Sequence, residues 1–221
     1  MNSLIRGAGM ALALLVLGSV AVADPILRID DLGTAGIDVT VLDNGVGDAN
    51  PLVGIIVFNG SVGSWMVNVA TGISKPVLGP NPKTDLNSVN VSGGAGTIQV
   101  SFSDTGFTWP WDPAQILVDI GGTTDGSVSY EAKADAANVA FGGVVGASGT
   151  FSGGAFSETT GFLAPVGQPF SLTSVLTIKH TTGVNVSSAD LELQATPEPG
   201  SLALMGLALV GGLIWRRRRS A

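Results

Sequence analysis

The chain of 221 residues contains no cysteine and a single histidine, His180. Without cysteine it forms no disulfide and offers neither a thiolate nucleophile nor a thiolate metal ligand. His180 stands at the polar end of a predicted strand, where we expect an exposed structural residue. A Ser-His-Asp triad would need this histidine, yet the chain has no Gly-x-Ser-x-Gly nucleophile elbow. These absences argue against a serine or cysteine hydrolase.

Basic residues are also scarce. Only five of the ten lysines and arginines lie between Asp24 and Thr196, against sixteen of the seventeen acids, which gives this segment a net charge of −11. Such a surface argues against nucleic acid or anionic membranes as partners. A glycosidase needs two converging carboxylates, and the spacing of these acids singles out no pair. The sequence therefore predicts no catalytic residues and no enzyme.

Residues 1–23 have the three parts of a secretory signal peptide. Arg6 provides the positive n-region, residues 8–17 are an apolar h-region, and Ala21-Val22-Ala23 matches an A-x-A cleavage site. We expect export through the Sec translocon and removal of this helix by signal peptidase, so that the mature protein begins at Asp24.

A second apolar segment follows Pro197-Glu198-Pro199, a corner at which neither a helix nor a strand ladder continues. A helix over residues 201–215 would be roughly 22 Å long, shorter than a ~30 Å hydrocarbon core. Arg216, Arg217, Arg218 and Arg219 then place the end of the chain in the cytoplasm by the positive-inside rule. We predict a marginal transmembrane helix that inserts transiently and leaves the preceding chain on the far side of the membrane.

The order of Pro-Glu-Pro, short apolar helix and arginine cluster resembles the PEP-CTERM sorting signal of Gram-negative bacteria. The resemblance covers residues 196–221 and implies processing by exosortase, a membrane-embedded cysteine transpeptidase, followed by delivery to the cell surface or extracellular matrix. It also implies an association with exopolysaccharide and biofilm. The tail is also called an ice-binding protein C-terminal domain, a label that describes the proteins carrying it.

The exported passenger, residues 24–195, is long enough for one domain with a sizeable core. Short runs of alternating polar and apolar residues predict strands separated by turns rich in Gly, Asn and Asp, including Asp125-Gly126 and Gly153-Gly154. Residues 131–140 could be helical or a strand that runs into a loop. We predict an antiparallel β-sandwich, jelly-roll or immunoglobulin-like. The expected strands lie near 26–29, 37–42, 53–58, 65–70, 88–91, 97–103, 116–120, 127–132, 150–156, 170–179 and 189–193.

The triplet Val-Asn-Val occurs at 67–69, 89–91 and 184–186. Its unequal intervals do not support a solenoid of fixed period. We interpret each triplet as an outward asparagine between two core-facing valines.

Two groups of residues are candidate binding sites in the passenger. In an extended segment, Phe107, Trp109 and Trp111 would share one face and could stack on sugar rings, or they could close the open end of the sandwich. The loop residues Asp43, Asp48 and Asn50 could bind Ca²⁺ through oxygen ligands, although Asp and Asn are also ordinary turn residues.

The leading hypothesis is an exported, non-catalytic structural or adhesive protein of the cell surface or matrix. The alternative is a carbohydrate-binding or ice-binding module, and a secreted hydrolase is a weaker third. Ice binding would require a flat Thr-x-Thr ladder, which Thr173 and Thr177 do not provide.

Replacing Pro197-Glu198-Pro199 by three alanines should leave the protein exported but held in the inner membrane. The apolar helix and the arginines would still stop transfer of the chain across the membrane, while exosortase would lose the motif that it recognises. Fractionation of the native host measures this, with the unaltered chain as control. Normal surface delivery of the variant would contradict the assignment of the tail.

Overall fold

The structure is a computed structural model that describes residues 25–109, 114–164, 167–182 and 184–196. The expected signal peptide, with Ala21 and Ala23, lies outside these ranges, as do Pro197, Glu198, Pro199 and Arg216–Arg219 of the expected sorting segment. Within the described ranges, no helix is long and apolar enough to cross a membrane.

The described residues form ten β-strands, all paired antiparallel, and no helix. The all-β prediction is confirmed, and residues 131–140 are a strand that runs into a loop. The strands are β1 (Ile26–Asp31), β2 (Val39–Leu42), β3 (Ile55–Val62), β4 (Trp65–Ile73), β5 (Lys83–Gly93), β6 (Gly96–Phe107), β7 (Gln115–Asp135), β8 (Val144–Leu163), β9 (Phe170–His180) and β10 (Val186–Thr196).

The two strands expected at 116–120 and 127–132 are one long strand, β7. Asp125-Gly126, expected to be a turn, lies at a register shift in the pairing of β7 with β8. Gly153 and Gly154 stand opposite this shift with φ of +61° and +80°, a conformation that glycine adopts without steric cost. The β7–β8 hairpin therefore bends at this point instead of ending.

This bend divides one continuous sheet into two layers. The second half of β7 pairs with β9, whereas its first half pairs with β10. The first layer has the order β2-β1-β6-β9-β7-β8, and the second has the order β3-β4-β5-β10-β7-β8. The predicted β-sandwich is thus formed, with β7 and β8 contributing to both layers.

The chain also passes between the layers at two neighbouring crossovers, from β5 to β6 and from β9 to β10. The two crossovers run side by side, because the strands before and after them are paired, β5 with β10 and β6 with β9. Paired segments that move together from one layer to the other are typical of jelly-roll wrapping. Of the two sandwich types expected, the topology favours the jelly roll.

Inward side chains of both layers form one apolar core, in which Trp65, Phe102, Tyr130 and Phe170 are the largest fully buried residues. Alternation along each strand places these side chains inside and their neighbours outside. Because the chain has no disulfide, this burial supplies most of the stabilisation of the fold.

The Val-Asn-Val interpretation holds for the second triplet and fails for the third. Val89 and Val91 are fully buried on either side of Asn90. Val184, however, is 87% exposed, because it precedes β10 and lies in the crossover from β9. The expectation of two core-facing valines in the third triplet is therefore wrong.

A chain of hydrogen bonds joins four strands where the crossovers meet, a region that we call the corner. His180 Nδ1 lies 2.9 Å from the Gly93 carbonyl oxygen, and Nε2 lies 2.9 Å from Ser187 Oγ. Ser187 Oγ is 2.6 Å from Thr124 Oγ1, which accepts a hydrogen bond from the Gly126 N–H at 3.0 Å. Because a carbonyl only accepts, Nδ1 is the donor to Gly93, and Nε2 can then accept from Ser187.

His180 is only 1% exposed, so the expectation of an exposed histidine is wrong. Its ring packs against Trp65 with centroids 4.8 Å apart. The ring is buried because β9 ends under the β5–β6 crossover, where polar backbone and hydroxyl groups need an internal partner.

His180→Ala should lower the free energy of unfolding by about 2–4 kcal/mol, because it leaves buried polar partners unpaired and opens a cavity beside Trp65. Urea denaturation of the variant measures the loss. The control is Lys179→Ala, which removes an exposed side chain from the same strand. Equal midpoints for the two variants would show that the corner contributes nothing to stability.

Candidate functional site

The outer face of the first layer carries a groove between β1, β6, β9 and the second half of β7. Its volume is about 160 Å³, well above the ~10–15 Å³ of accessible space that a single water needs. Strand pairing fixes the rows that line it, because Arg28 is opposite Ser101 and Asp30 is opposite Gln99. We call this site the first-layer groove; its lining includes Arg28, Asp30, Gln99, Ser101, Lys133, Phe141 and Thr173.

Arg28 and Asp30, which both line this groove, each have a buried polar atom without a hydrogen-bond partner. Arg28 Nε and Asp30 Oδ1 are both buried, and neither makes a hydrogen bond with the described residues. Native proteins pair nearly all such atoms, because an unpaired buried donor or acceptor costs about 1–3 kcal/mol. Two unpaired atoms of opposite type in one groove make this groove a candidate binding site.

Phe141 forms one wall of the groove and fixes the arginine. The Arg28 guanidinium carbon lies 3.9 Å from the centroid of the Phe141 ring, a cation–π contact. Phe141 has φ of +62°, which is rare for a bulky side chain and is found mainly where surrounding contacts enforce it. Here the Phe141 N–H donates to Ser103 Oγ at 3.0 Å.

The loop that carries Phe141 is itself anchored at several points. The carboxylate of Asp135 accepts the N–H groups of Ala137 and Val139. Asn138 Oδ1 accepts from the Gly106 N–H at 2.7 Å, which ties the loop to β6. The Phe141 wall therefore has a defined position before any ligand binds.

The surroundings of Asp30 oppose its ionisation. Desolvation raises the pKa of its carboxyl group, and the nearby charges of Asp38 and Asp31 raise it further. A carboxyl oxygen and a guanidinium N–H together suit an uncharged hydroxyl, which can accept from Nε and donate to Oδ1.

Arg28 was missed by sequence reasoning, although the sequence contained an indication. It is the only arginine between Asp24 and Thr196, and the alternation of β1 places it with Asp30 on the outer face. What the sequence did not reveal is the contact with Phe141, more than a hundred residues away.

The aromatic stacking face expected from Phe107, Trp109 and Trp111 is not formed by its first two members. Phe107 is 2% exposed and Trp109 is 8% exposed, so both rings contribute to the core at one end of the sandwich. Phe107 packs near Phe170, with centroids 6.0 Å apart. Trp111 lies outside the described residues. The placement of Phe107 and Trp109 agrees with the alternative, in which the rings close the sandwich.

A buried ion pair holds this end of the sandwich together. Lys75 Nζ lies 2.8 Å from Asp104 Oδ2 and 4.3 Å from the centroid of the Phe107 ring. Phe107 therefore faces a cation of the protein itself rather than solvent, which explains why it is not available to a sugar.

The oxygens of the possible calcium ligands accept backbone hydrogen bonds. Asp43 Oδ2 accepts from the Gly54 N–H at 2.8 Å, Asp48 Oδ1 from Asn50 and Val57, and Asn50 Oδ1 from Leu52. The described residues contain no group of three or more acidic or histidine side chains arranged to hold a metal. Calcium binding by Asp43, Asp48 and Asn50 remains a prediction.

On the second layer, three carboxylates share one row across the strands. Glu192 on β10 is opposite both Asp85 on β5 and Asp119 on β7. Burial raises the pKa of Asp85 to about 6, and the charges of Glu192 and Asp190 contribute to the rise. Lys83 Nζ, 2.8 Å from Glu192 Oε2, offsets part of this repulsion.

Comparison with known proteins bears first on the end of the chain. The family model of the PEP-CTERM protein-sorting motif matches residues 195–219. The chain carries a PEP-CTERM sorting motif. This match confirms the resemblance of the tail, and the secreted, cell-surface character of the chain follows from the motif. No curated protein matches the chain.

Among solved structures, similar folds occur in carbohydrate-binding modules. The CBM22-1-GH10 modules of Clostridium thermocellum xylanase 10B with xylohexaose give a TM-score of 0.31 at 12% identity, covering 53% of this chain and 26% of that one. TmCBM61 with beta-1,4-galactotriose gives a TM-score of 0.35 at 9% identity, covering 68% of this chain and 92% of that one. The family 11 module of Clostridium thermocellum gives a TM-score of 0.29 at 10% identity, covering 80% of this chain and 99% of that one. With TM-scores below 0.5, these similarities carry no weight in assigning a function.

Asp85→Asn should stabilise the protein at pH 7 and have little effect near pH 4. The pKa of Asp85 is higher in the folded state than its ordinary value of 3.8, so ionisation destabilises the fold as pH rises from about 4 to about 6. Thermal melts across this range measure the effect.

The control is Asp119→Asn, which removes one negative charge from the same row. A stability difference between Asp85→Asn and the native chain that does not change between pH 4 and pH 7 would contradict the assignment.

Proposed function

We propose that this protein is an exported, non-catalytic polysaccharide-binding protein, which exosortase processes and releases to the cell surface or extracellular matrix. The Sec translocon and signal peptidase act first, and exosortase acts at Pro197-Glu198-Pro199 during transient insertion in the inner membrane. The PEP-CTERM motif at residues 195–219 supports the sorting route. The first-layer groove supports the ligand class.

The observation that carries the binding proposal is the pair of unpartnered atoms, Arg28 Nε and Asp30 Oδ1. A sugar hydroxyl can accept from Nε and donate to Oδ1 when these nearly inaccessible atoms turn toward it, whereas an anion, which only accepts, could not pair with Oδ1. Gln99 and Ser101 add hydrogen-bonding groups beside them, and the Phe141 wall adds apolar surface. Polar groups on a rigid sheet, with an aromatic wall, are suited to a polyhydroxylated ligand.

The contacts of His180 support a non-catalytic role. Both ring nitrogens of the only histidine are engaged in the corner, on the opposite side of the sheet from the groove. The ice-binding alternative has less support, because Thr173 is 1% exposed and Val175 separates it from Thr177. A purely structural or adhesive role is the second candidate, and it would leave the unpaired groove atoms without a purpose.

The decisive experiment measures binding and stability together in Arg28→Gln and Asp30→Asn. Both variants should bind neutral polysaccharides at least tenfold more weakly, because each removes one of the two complementary groups. Neither should melt much lower, since Arg28 Nε and Asp30 Oδ1 make no internal hydrogen bond and the contact of Arg28 with Phe141 is worth only about 0.5–1 kcal/mol. Affinity gel electrophoresis with hydroxyethyl cellulose, xylan and β-1,4-galactan measures binding.

Lys179→Gln is the matched control, because Lys179 is an exposed cation on the same layer outside the groove. It should bind like the native chain. Variants that lose stability but keep full affinity would favour the structural role and overturn the binding proposal.

A further inference from the structure

We propose that the outer face of the second layer carries a second binding site for neutral polysaccharide, centred on Asn68, Asn90 and Ser188. With the first-layer groove on the opposite face, this site would make one chain a cross-linker of polysaccharide. The site itself is argued from different residues, and only the cross-linking rests on the proposed function.

The site is an open groove of about 420 Å³ across three adjacent strands. Asn68 comes from β4, Asn90 from β5 and Ser188 from β10, and Ser188 is directly opposite Asn90. Adjacent strands lie about 4.8 Å apart, so these side chains form a row perpendicular to the strands. Ser88 and Asp190 complete the lining of this second-layer groove.

Two β-bulges on neighbouring strands shape the groove. In the pairing of β4 with β5, Asn68 is an extra residue between Val67 and Val69, which pair with the consecutive residues Val91 and Asn90. In the pairing of β5 with β10, two residues, Asn87 and Ser88, stand opposite Asp190 alone. Bulges re-aim side chains and are over-represented beside functional sites.

A specific contact holds Ser88 in the unusual backbone conformation that its bulge requires. Its φ of +53° lies in the left-handed region, which residues other than glycine adopt infrequently. The Ser88 N–H donates to Asp190 Oδ1, so a carboxylate from the next strand holds the unusual backbone in place. Such strain is maintained where the surrounding structure over-determines it, frequently at ligand sites.

The side chains of the row leave hydrogen-bonding capacity free for a ligand. Asn68 Nδ2 donates to Asn90 Oδ1 at 2.7 Å, which orients both amides. Among the described residues, the Asn90 amide hydrogens and Asn68 Oδ1 have no hydrogen-bond partner. An oriented donor and an oriented acceptor on neighbouring strands match the mixed donor and acceptor character of sugar hydroxyls.

The charge of this face selects against acidic ligands. Asp190 lines the groove, and the paired residues Asp85 on β5 and Glu192 on β10 lie beside it on the same face. Lys83 forms an ion pair with Glu192 and compensates part of this negative charge. A uronic-acid polymer would meet repulsion here. The ligand class is therefore a neutral polysaccharide.

The two grooves point away from each other, because alternation places Arg28 outside the first layer and Asn90 outside the second. Two sites on opposite faces of a rigid sandwich cannot both bind one short oligosaccharide. They can bind two separate polysaccharide chains, which raises avidity for a matrix without any new contact.

The test is isothermal titration of the purified chain, with residues 197–221 attached, in a sugar-free polyoxyethylene detergent. The probes are cellohexaose, xylohexaose and laminarihexaose. The native chain should bind two molecules of a recognised probe, Asn90→Ala and Arg28→Gln should each bind one, and the double variant should bind none. Gln194→Ala, on the same face outside the groove, should still bind two.

Asn90→Ala could act by disturbing the bulges, so Ser188→Trp provides a second variant that fills the groove without removing an amide. It should also reduce the stoichiometry to one, with thermal melts confirming that both variants fold. A native stoichiometry of one that Asn90→Ala and Ser188→Trp leave unchanged would overturn the second site. If those two variants abolish a single binding event that Arg28→Gln leaves intact, the second site stands and the first-layer groove fails.

Discussion

The fold depends on the corner, where the hydrogen-bond chain through His180 joins β5, β7, β9 and β10. A single sheet can form two layers only if neighbouring strands pass from one layer to the other at the same place. The bend in β7 and the crossovers from β5 to β6 and from β9 to β10 all occur here. Each turn exposes backbone and hydroxyl groups that the ladder no longer pairs. The imidazole on β9 of the first layer donates to β5 and accepts from β10, both in the second layer, so it links the two layers inside the protein.

Carboxylates take the place of the disulfides that the chain lacks. Asp48 accepts three backbone N–H groups, and Asp135 and Asp43 fix the loops at other positions. Asp104 is buried against Lys75 and closes one end of the sandwich. The acidic composition is thus partly structural, since an ionised side chain is a strong acceptor for backbone donors that a tight loop leaves unpaired.

The two outer faces differ in their charge although both are rich in hydroxyl and amide groups. The first layer combines Arg28 and Lys133 with Asp30, while the second has a row of carboxylates around Glu192. This difference separates the proposed sites chemically, because the first provides a cationic donor and the second relies on amides.

The sequence determined the sorting signal, the strand content and the sandwich class, because the Pro-Glu-Pro tail, apolar periodicity and turn residues are local patterns. It did not determine that Asp125-Gly126 bends a strand instead of ending it, since the same dipeptide suits a turn and a bulge. Nor did it reveal that His180 is buried or that Phe141 lies over Arg28. Only the tertiary structure decided these points, because each depends on which residues from distant strands become neighbours when the sheet folds on itself.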